Sequence, residues 1–341
     1  MTVQNPMMQT YLLSALTAFA VVLVLGPIVI PMLRQLKFGQ VEREEGPDSH
    51  KAKQGTPTMG GIMTLLGVLV ASLIFGLESA SFVLPALLVT FAFGLVGFLD
   101  DFIKVHLHRN LGLRAYQKII AQFGIALVVA IWAYRSPYIG PTLYLPISGG
   151  SWDIGYYYIP LVMFVVISTT NAVNLTDGLD GLASGVTMIY TLAMTIVFGL
   201  LASKAALLGQ TLYGMNLQGM AVFSAAVTGA CLGFIRYNTF PARVFMGDTG
   251  SLALGGAIAM MAIASRSILL LPIMGFCFVG SALSVILQVG SYKLRHGKRI
   301  FKMAPIHHHF ELCGYSESRI VTMYTLVTTV LCAVCLLSYL R

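Results

Sequence analysis

"SFVLPALLVTFAFGLVGFLDDFIK", residues 81–104, is apolar for most of its length and then ends on two adjacent acids, Asp100 and Asp101, with Lys104 close behind. About twenty apolar residues, at 1.5 Å of rise each, give a helix long enough to cross the hydrocarbon core of a bilayer. In that solvent each segment must satisfy its own backbone hydrogen bonds, which a helix does and an isolated strand does not. The stretch therefore predicts a transmembrane helix over 82–99, carrying its charge at one end only.

The pattern recurs along the chain. The 341 residues are 57% hydrophobic and only 10% charged, and the mean hydropathy is +0.82. Soluble domains are roughly a quarter charged, so a soluble globular enzyme is excluded. The expected fold is an all-α polytopic membrane protein, a single integral membrane domain over 1–341. About ten transmembrane helices are placed at 11–33, 59–77, 82–99, 118–134, 157–171, 181–202, 217–235, 249–265, 270–292 and 319–340. The first Lys or Arg is Arg34. With no basic stretch before it, the first apolar segment is expected to be a retained span.

Loops 34–58, 100–117, 172–180, 236–248 and 293–318, with the helix ends touching them, hold 17 of the 21 Lys and Arg residues. The positive-inside rule puts this set in the cytoplasm and, with ten spans, both termini outside. The formal charge of +8 is thus one-sided. Its simplest use is insertion and contact with anionic membrane lipid, and no nucleic-acid partner is expected. The five cysteines suggest no disulfide framework. "CAVC" at 332–335 has redox spacing but lies inside an apolar helix, where small hydrophobes are the better reading. A short hairpin around "SGGS" is expected on the outer side, within 138–160.

Of the 13 acids, 11 fall on the cytoplasmic set, leaving Glu78 and Asp153 outside. Glu42, Glu44, Glu45 and Asp48 read as one face of a solvated loop. Asp100, Asp101, Asp177, Asp180 and Asp248 instead sit at the inner ends of apolar segments, among glycines and small residues. Charge near hydrocarbon is costly, so these carboxylates call for a cation. Asp100 and Asp101 alone suit a helix end meeting water, but continued helix would put Asp100 on one face with Lys104. Two close carboxylates stay ionised only beside positive charge. Mg²⁺ is the natural candidate, since it takes oxygen ligands and bridges carboxylates to phosphates.

In "NAVNLTDGLDGLASG", 171–185, Asn171, Asn174, Asp177 and Asp180 recur every three residues. A helical stretch would align them on one face, though Asn174 and Asp177 also suit helix caps. "RYNTFPARVFMGDTGS", 236–251, offers Asn238, Arg243, Phe245 and Asp248 ahead of a glycine-containing helix start. Such a start presents free N–H groups to an anion, Phe245 could stack on a base, and Asp248 could equally be a plain cap. "KLRHGKRIFKMAPIHHHFE", 293–311, joins Lys293, Arg295, Lys298, Arg299 and Lys302 to His307, His308 and His309. Neighbouring histidines diverge in direction and lack zinc-ligand spacing, so hydrogen bonding to phosphate or carboxylate suits them better. All four stretches fall on one predicted face. A metal, an anion cradle, a stacking ring and basic side chains together suit phosphoryl transfer from a nucleotide diphosphate to a lipid acceptor.

"GTPTMGG" at 55–61, "FLDDFIK" at 98–104, "NAVNLTDGLDGLA" at 171–183, "FPARVFMGDTGS" at 240–251 and "KMAPIHHHFE" at 302–311 resemble the signatures of the phospho-N-acetylmuramoyl-pentapeptide transferases. That family lies within the polyprenyl-phosphate N-acetylhexosamine-1-phosphate transferases, and the resemblance covers nearly the whole chain. It implies a bacterial inner-membrane enzyme of peptidoglycan biosynthesis that uses Mg²⁺. Its substrates would be UDP-MurNAc-pentapeptide and undecaprenyl phosphate, and its products lipid I and UMP. The resemblance makes Asp248 the metal ligand and Asp100 and Asp101 an essential acidic pair, with Asp100 as the base. Asp177 and Phe245 would contact uracil, with Asn171, Asn174, Asn238 and Asp180 lining the same site. Lys53, Thr58, Lys104, Lys118, Gln288 and the three histidines match further polar positions. A homodimer is compatible with it. Two rivals stand beside it: a sister transferase using UDP-GlcNAc, and an ion-coupled transporter with its acids near the membrane midplane.

Overall fold

In a computed structural model of the chain, the described residues are 6–36, 55–77, 80–106, 112–145 and 150–340. Lys53, Glu42, Glu44, Glu45, Asp48 and Glu78 lie outside them.

The architecture is all-α with one small hairpin. In chain order the helices are α1 (Pro6–Gln35), α2 (Gly61–Phe75), α3 (Ala80–His106) and α4 (Ala115–Arg135). The strands β1 (Thr142–Tyr144) and β2 (Ser151–Asp153) follow, then α5 (Tyr158–Thr176), α6 (Leu182–Leu207), α7 (Thr211–Asn238) and α8 (Gly247–Ala264). The chain closes with α9 (Leu271–Met274), α10 (Phe276–Leu294), α11 (Ile306–Leu312) and α12 (Glu317–Leu337). The expected hairpin is present as an antiparallel pair with Leu143 opposite Trp152.

Among the described residues, nine helices are long and apolar enough to cross a membrane. Two predicted spans differ in detail. The span expected over 59–77 forms the 15-residue α2, about 22 Å long. At its start the Gly60 N–H donates to the Phe245 carbonyl at 2.8 Å. At its end a Cβ on Gly76 would meet Val83, near the far end of α3, and Val222, within α7. The span expected over 270–292 is interrupted at Gly275, leaving the single turn α9 ahead of α10. Pro272 in α9 has no N–H to donate, which suits a short turn.

The centre of the bundle is α8, buried along nearly its whole length although it is among the least hydropathic of the spans. Small residues explain this, because in hydrocarbon helices gain contact by letting backbones approach. A Cβ on Gly97 of α3 would stand 2.1 Å from the Asp248 carbonyl oxygen. One on Gly61 of α2 would stand 2.2 Å from the Gly250 Cα, and one on Gly255 2.5 Å from the Thr170 Cα of α5. Three helices thus seat directly on the α8 backbone and bring their polar ends to Asp248. Gly97→Ala is expected to destabilise by overpacking, by about 1–3 kcal/mol. Thermal unfolding in detergent should show a lowered midpoint, and an unchanged one would contradict this contact.

Candidate active site

Successive antiparallel helices bring the C-terminal ends of α3, α5, α7 and α10 to one end of the bundle, with the N-terminal ends of α2, α4, α6, α8 and α12. Most of the polar residues singled out above collect there. Asp100 and Asp101 are both buried, one turn before the end of α3. The helix continues through them, so they point apart and do different things.

Asp100 faces two cations. Its Oδ2 lies 2.6 Å from Lys104 Nζ and 3.7 Å from Lys118 Nζ on α4. Its Oδ1 accepts the Leu113 N–H at 2.9 Å. Asp248 Oδ2 shares the same pair, 3.0 Å from Lys104 and 2.8 Å from Lys118. Asp248 Oδ1 accepts from the Asn174 amide at 2.7 Å, and that amide also donates to Ser251 Oγ at 2.9 Å. Asp101 turns to the start of α8 instead. Its Oδ2 accepts the Thr249 N–H at 2.9 Å and the Thr249 hydroxyl at 2.8 Å, and its Oδ1 accepts the Asp248 N–H at 3.2 Å. These are free first-turn donors of a helix, so Asp101 caps α8 from another helix.

One oxygen from each of Asp100, Asp101 and Asp248 lies within 4.8 Å of the others. With all three ionised, three carboxylates against two ammonium groups would leave the cluster net negative, with room in charge for a cation beside the lysines.

A family model described as "Glycosyl transferase family 4" matches residues 83–266. The chain is 48% identical over 318 residues to the phospho-N-acetylmuramoyl-pentapeptide-transferase of Clostridioides difficile (strain 630), covering 93% of this chain and 94% of that one. It is 48% identical over 332 residues to the protein of the same name from Desulfitobacterium hafniense, covering 96% and 97%. The corresponding Clostridium novyi protein is 43% identical over 334 residues, with 98% of each chain covered. The chain belongs to the phospho-N-acetylmuramoyl-pentapeptide-transferase family.

Around the acid–lysine cluster, the transferase commits several of its other polar residues to holding the site's shape. Asn171 donates from its amide to Gln122 on α4 at 2.8 Å and to the Ile167 carbonyl at 2.7 Å. Asn238 accepts the Gly181 N–H at 3.0 Å and the Ser184 hydroxyl at 3.2 Å, while its amide donates to the Val244 carbonyl at 3.0 Å. That single side chain ties α7, the start of α6 and the loop before α8. Asp180 accepts the Ala242 N–H at 2.9 Å, and its own N–H donates to Glu317. Gln288 clasps the loop before α11, accepting from Ile300 and Phe301 N–H groups at 3.0 Å and donating to the Phe301 carbonyl at 2.9 Å.

The histidines divide. His307 and His308 are buried over the backbone of Gly178, where a Cβ would come within 2.3 Å of His307 Nε2 and 3.0 Å of His308 Nε2. Glycine at 178 is thus what brings this pair beside Asp177. His308 Nδ1 lies 2.7 Å from Glu311 Oε2. His309 points away and accepts the Lys302 N–H on Nδ1 at 3.1 Å. Asp177 follows α5, and its burial pushes its carboxyl well above the usual carboxylate range, with Asp248, Asp101 and Asp180 adding to the shift. Thr58 is buried against Gly247, and Phe245 is half-buried beside it with its backbone paired to Pro57 and Gly60.

Sequence reasoning passed over Gln122, Glu311 and Glu317. Glu311 had a signal in the i, i+3 spacing to His308, which shares a helix face. Gln122 and Glu317 had none, because their partners lie 49 and 137 residues away.

Proposed function

We propose that this chain transfers phospho-MurNAc-pentapeptide from UDP-MurNAc-pentapeptide to undecaprenyl phosphate, making lipid I and UMP for peptidoglycan synthesis. The family carries the reaction class. The observation that carries the site is Asp100 and Asp248 sharing Lys104 and Lys118 at one end of a membrane bundle. We read the bundle as ten crossings of the bacterial inner membrane, with α2 as the tenth because it joins the site end to the opposite end. Both termini and the hairpin then lie on the periplasmic side, and the loops 34–58, 100–117, 172–180, 236–248 and 293–318 form a cytoplasmic active site, as the basic residues require.

Mg²⁺ fits the donor set, since hard carboxylate oxygens from three helix positions converge and Asn174 adds an amide that fixes Asp248. Asp248 would hold the ion, with Asp100 next to it. When bound, it would supply charge neutralisation at the pyrophosphate.

The chain's own residues do the rest. Lys104 and Lys118 bind the phosphates and bring them against Asp100. Asp100 takes the proton of the lipid phosphate, whose oxygen then attacks the β-phosphorus in one step. The bond to the bridging oxygen breaks and UMP leaves. His307 and His308 offer donors to phosphate charge. Asp177, kept protonated more readily than an ordinary carboxyl, can donate as well as accept at the uracil edge, with Phe245 as the stacking ring. Asp101 sets the start of α8 and thereby the place of Asp248.

The test mixes purified protein with UDP-MurNAc-pentapeptide and undecaprenyl phosphate. UMP release is expected with Mg²⁺ and lost with excess EDTA, returning when Mg²⁺ is restored. Turnover that ignores EDTA would remove the metal from this reading. Release from UDP-GlcNAc in parallel samples would favour the sister transferase. The transporter reading gains nothing from the structure, since the acids gather at one end of the bundle instead of its middle.

A further inference from the structure

The acid–lysine cluster is backed by a second polar layer, one turn deeper in the bundle. Lys118 and Gln122 stand four residues apart on one face of α4, and Asn174 and Asn171 three apart on one face of α5. The outer members meet at Asp248. Lys118 Nζ lies 2.8 Å from its Oδ2, and the Asn174 amide donates to its Oδ1 at 2.7 Å. The inner members meet each other. The Asn171 amide donates to Gln122 Oε1 at 2.8 Å, with a longer return contact from Gln122 Nε2 to Asn171 Oδ1 at 3.5 Å. Lys118, Asp248, Asn174, Asn171 and Gln122 thus close a ring that passes through α4, α8 and α5.

The ring is unevenly braced. Asn174 also donates to Ser251 on α8, and Asn171 to the Ile167 carbonyl of its own helix, so both asparagines are fixed twice. Lys118 reaches its acids on a long, part-exposed side chain, so the place where its ammonium arrives depends on where α4 stands. The chain ahead of α4 is tied to α3, through the Leu113 N–H to Asp100. Beyond Gln122 the inward face of α4 carries Ala126, Val129, Ala130 and Ala133. Small apolar residues of this kind pack closely but form no directional bond. Among the described residues, the side-chain hydrogen bonds that join α4 to α5 are those of buried Gln122. Gln122 is therefore the contact that sets the height and rotation of the helix carrying Lys118 against the helix carrying Asn174.

We propose that Gln122 is a positioning residue for the transfer reaction, holding α4 through Asn171 so that Lys118 meets Asp248 and Asp100 where phosphate is received. This rests on the reading of Lys118 as a phosphate-binding group given above.

The test follows single-turnover UMP release by the full chain in detergent, with UDP-MurNAc-pentapeptide, undecaprenyl phosphate and Mg²⁺. Gln122→Leu removes the amide at nearly constant volume, and Gln122→Asn keeps an amide but draws it back by one carbon. Each is expected to slow release about 10- to 100-fold, since an error near 1 Å in a reacting group has an effect of that order. Gln122→Asn, which stays polar, carries the test if Gln122→Leu does not fold. Double-mutant cycles then separate positioning from loss of structure. With Lys118→Ala already present, a change at Gln122 should slow release by less than about threefold more, because nothing is left for it to place. With Lys104→Ala on α3 present instead, the full loss should persist. A loss of equal size in both backgrounds would mean that Gln122 merely supports the fold, and overturns the inference. So does release at the parent rate by both Gln122 variants. A parent chain that releases no UMP from this substrate overturns the reading of the site itself, and this inference with it.

Discussion

Asp248→Ala should release UMP at least about 10³-fold more slowly than the parent protein, while melting close to the parent temperature. The rate loss follows from charge. Asp248 carries the carboxylate that both Lys104 and Lys118 contact, and it would also hold the metal. Removing one preorganised electrostatic group from such a site typically costs 10²–10³-fold, and loss of the ion adds to that. The stability argument runs the other way. Lys104 and Lys118 keep 34% and 21% of their side-chain surface exposed, so both can reach water when their partner is gone. Asp100 still holds Lys104 at 2.6 Å. Single-turnover UMP release and a thermal melt on the same preparation check both halves. Near-normal release would remove Asp248 from the centre of the reaction.

Asp101→Ala should fail in both measurements. Its carboxylate is buried and accepts from two backbone N–H groups and one hydroxyl at the start of α8. Truncation strands those donors in an interior where each unmet group costs about 1–3 kcal/mol. The melting temperature should therefore fall by several degrees. Activity should fall about 10²-fold through displacement of Asp248, since an error near 1 Å in a reacting group has that effect. Asp101→Asn keeps the shape but halves the acceptor capacity, and should lie between. An Asp101→Ala protein that melts like the parent yet is inactive would instead put Asp101 in contact with substrate. The two neighbouring acids, indistinguishable by type, are thus separable by one pair of experiments.

Hydropathy alone makes the fold class legible, because a bilayer accepts apolar helices of one length and little else. The same constraint places the polar stretches at helix ends, and the positions of Asp100, Asp177 and Asp248 follow from it. The interrupted span at Gly275 and the short α2 were not legible, since window hydropathy averages over a single proline or glycine. Nor was the division of labour among the polar residues. Asn171 spends its amide on a neighbouring helix, and Asn238 and Gln288 spend theirs on loops.

What the sequence determined by itself is a membrane bundle with its carboxylates and cations at one end, because the cost of burying charge in hydrocarbon is local and can be read residue by residue. Only the tertiary structure decided that Asp101 caps α8 while Asp100 faces the lysines, and that His307 and His308 meet Gly178 while His309 turns away. Those choices depend on partners far along the chain and on glycines that let backbones meet at close range. Distances of that kind have no signature in local composition.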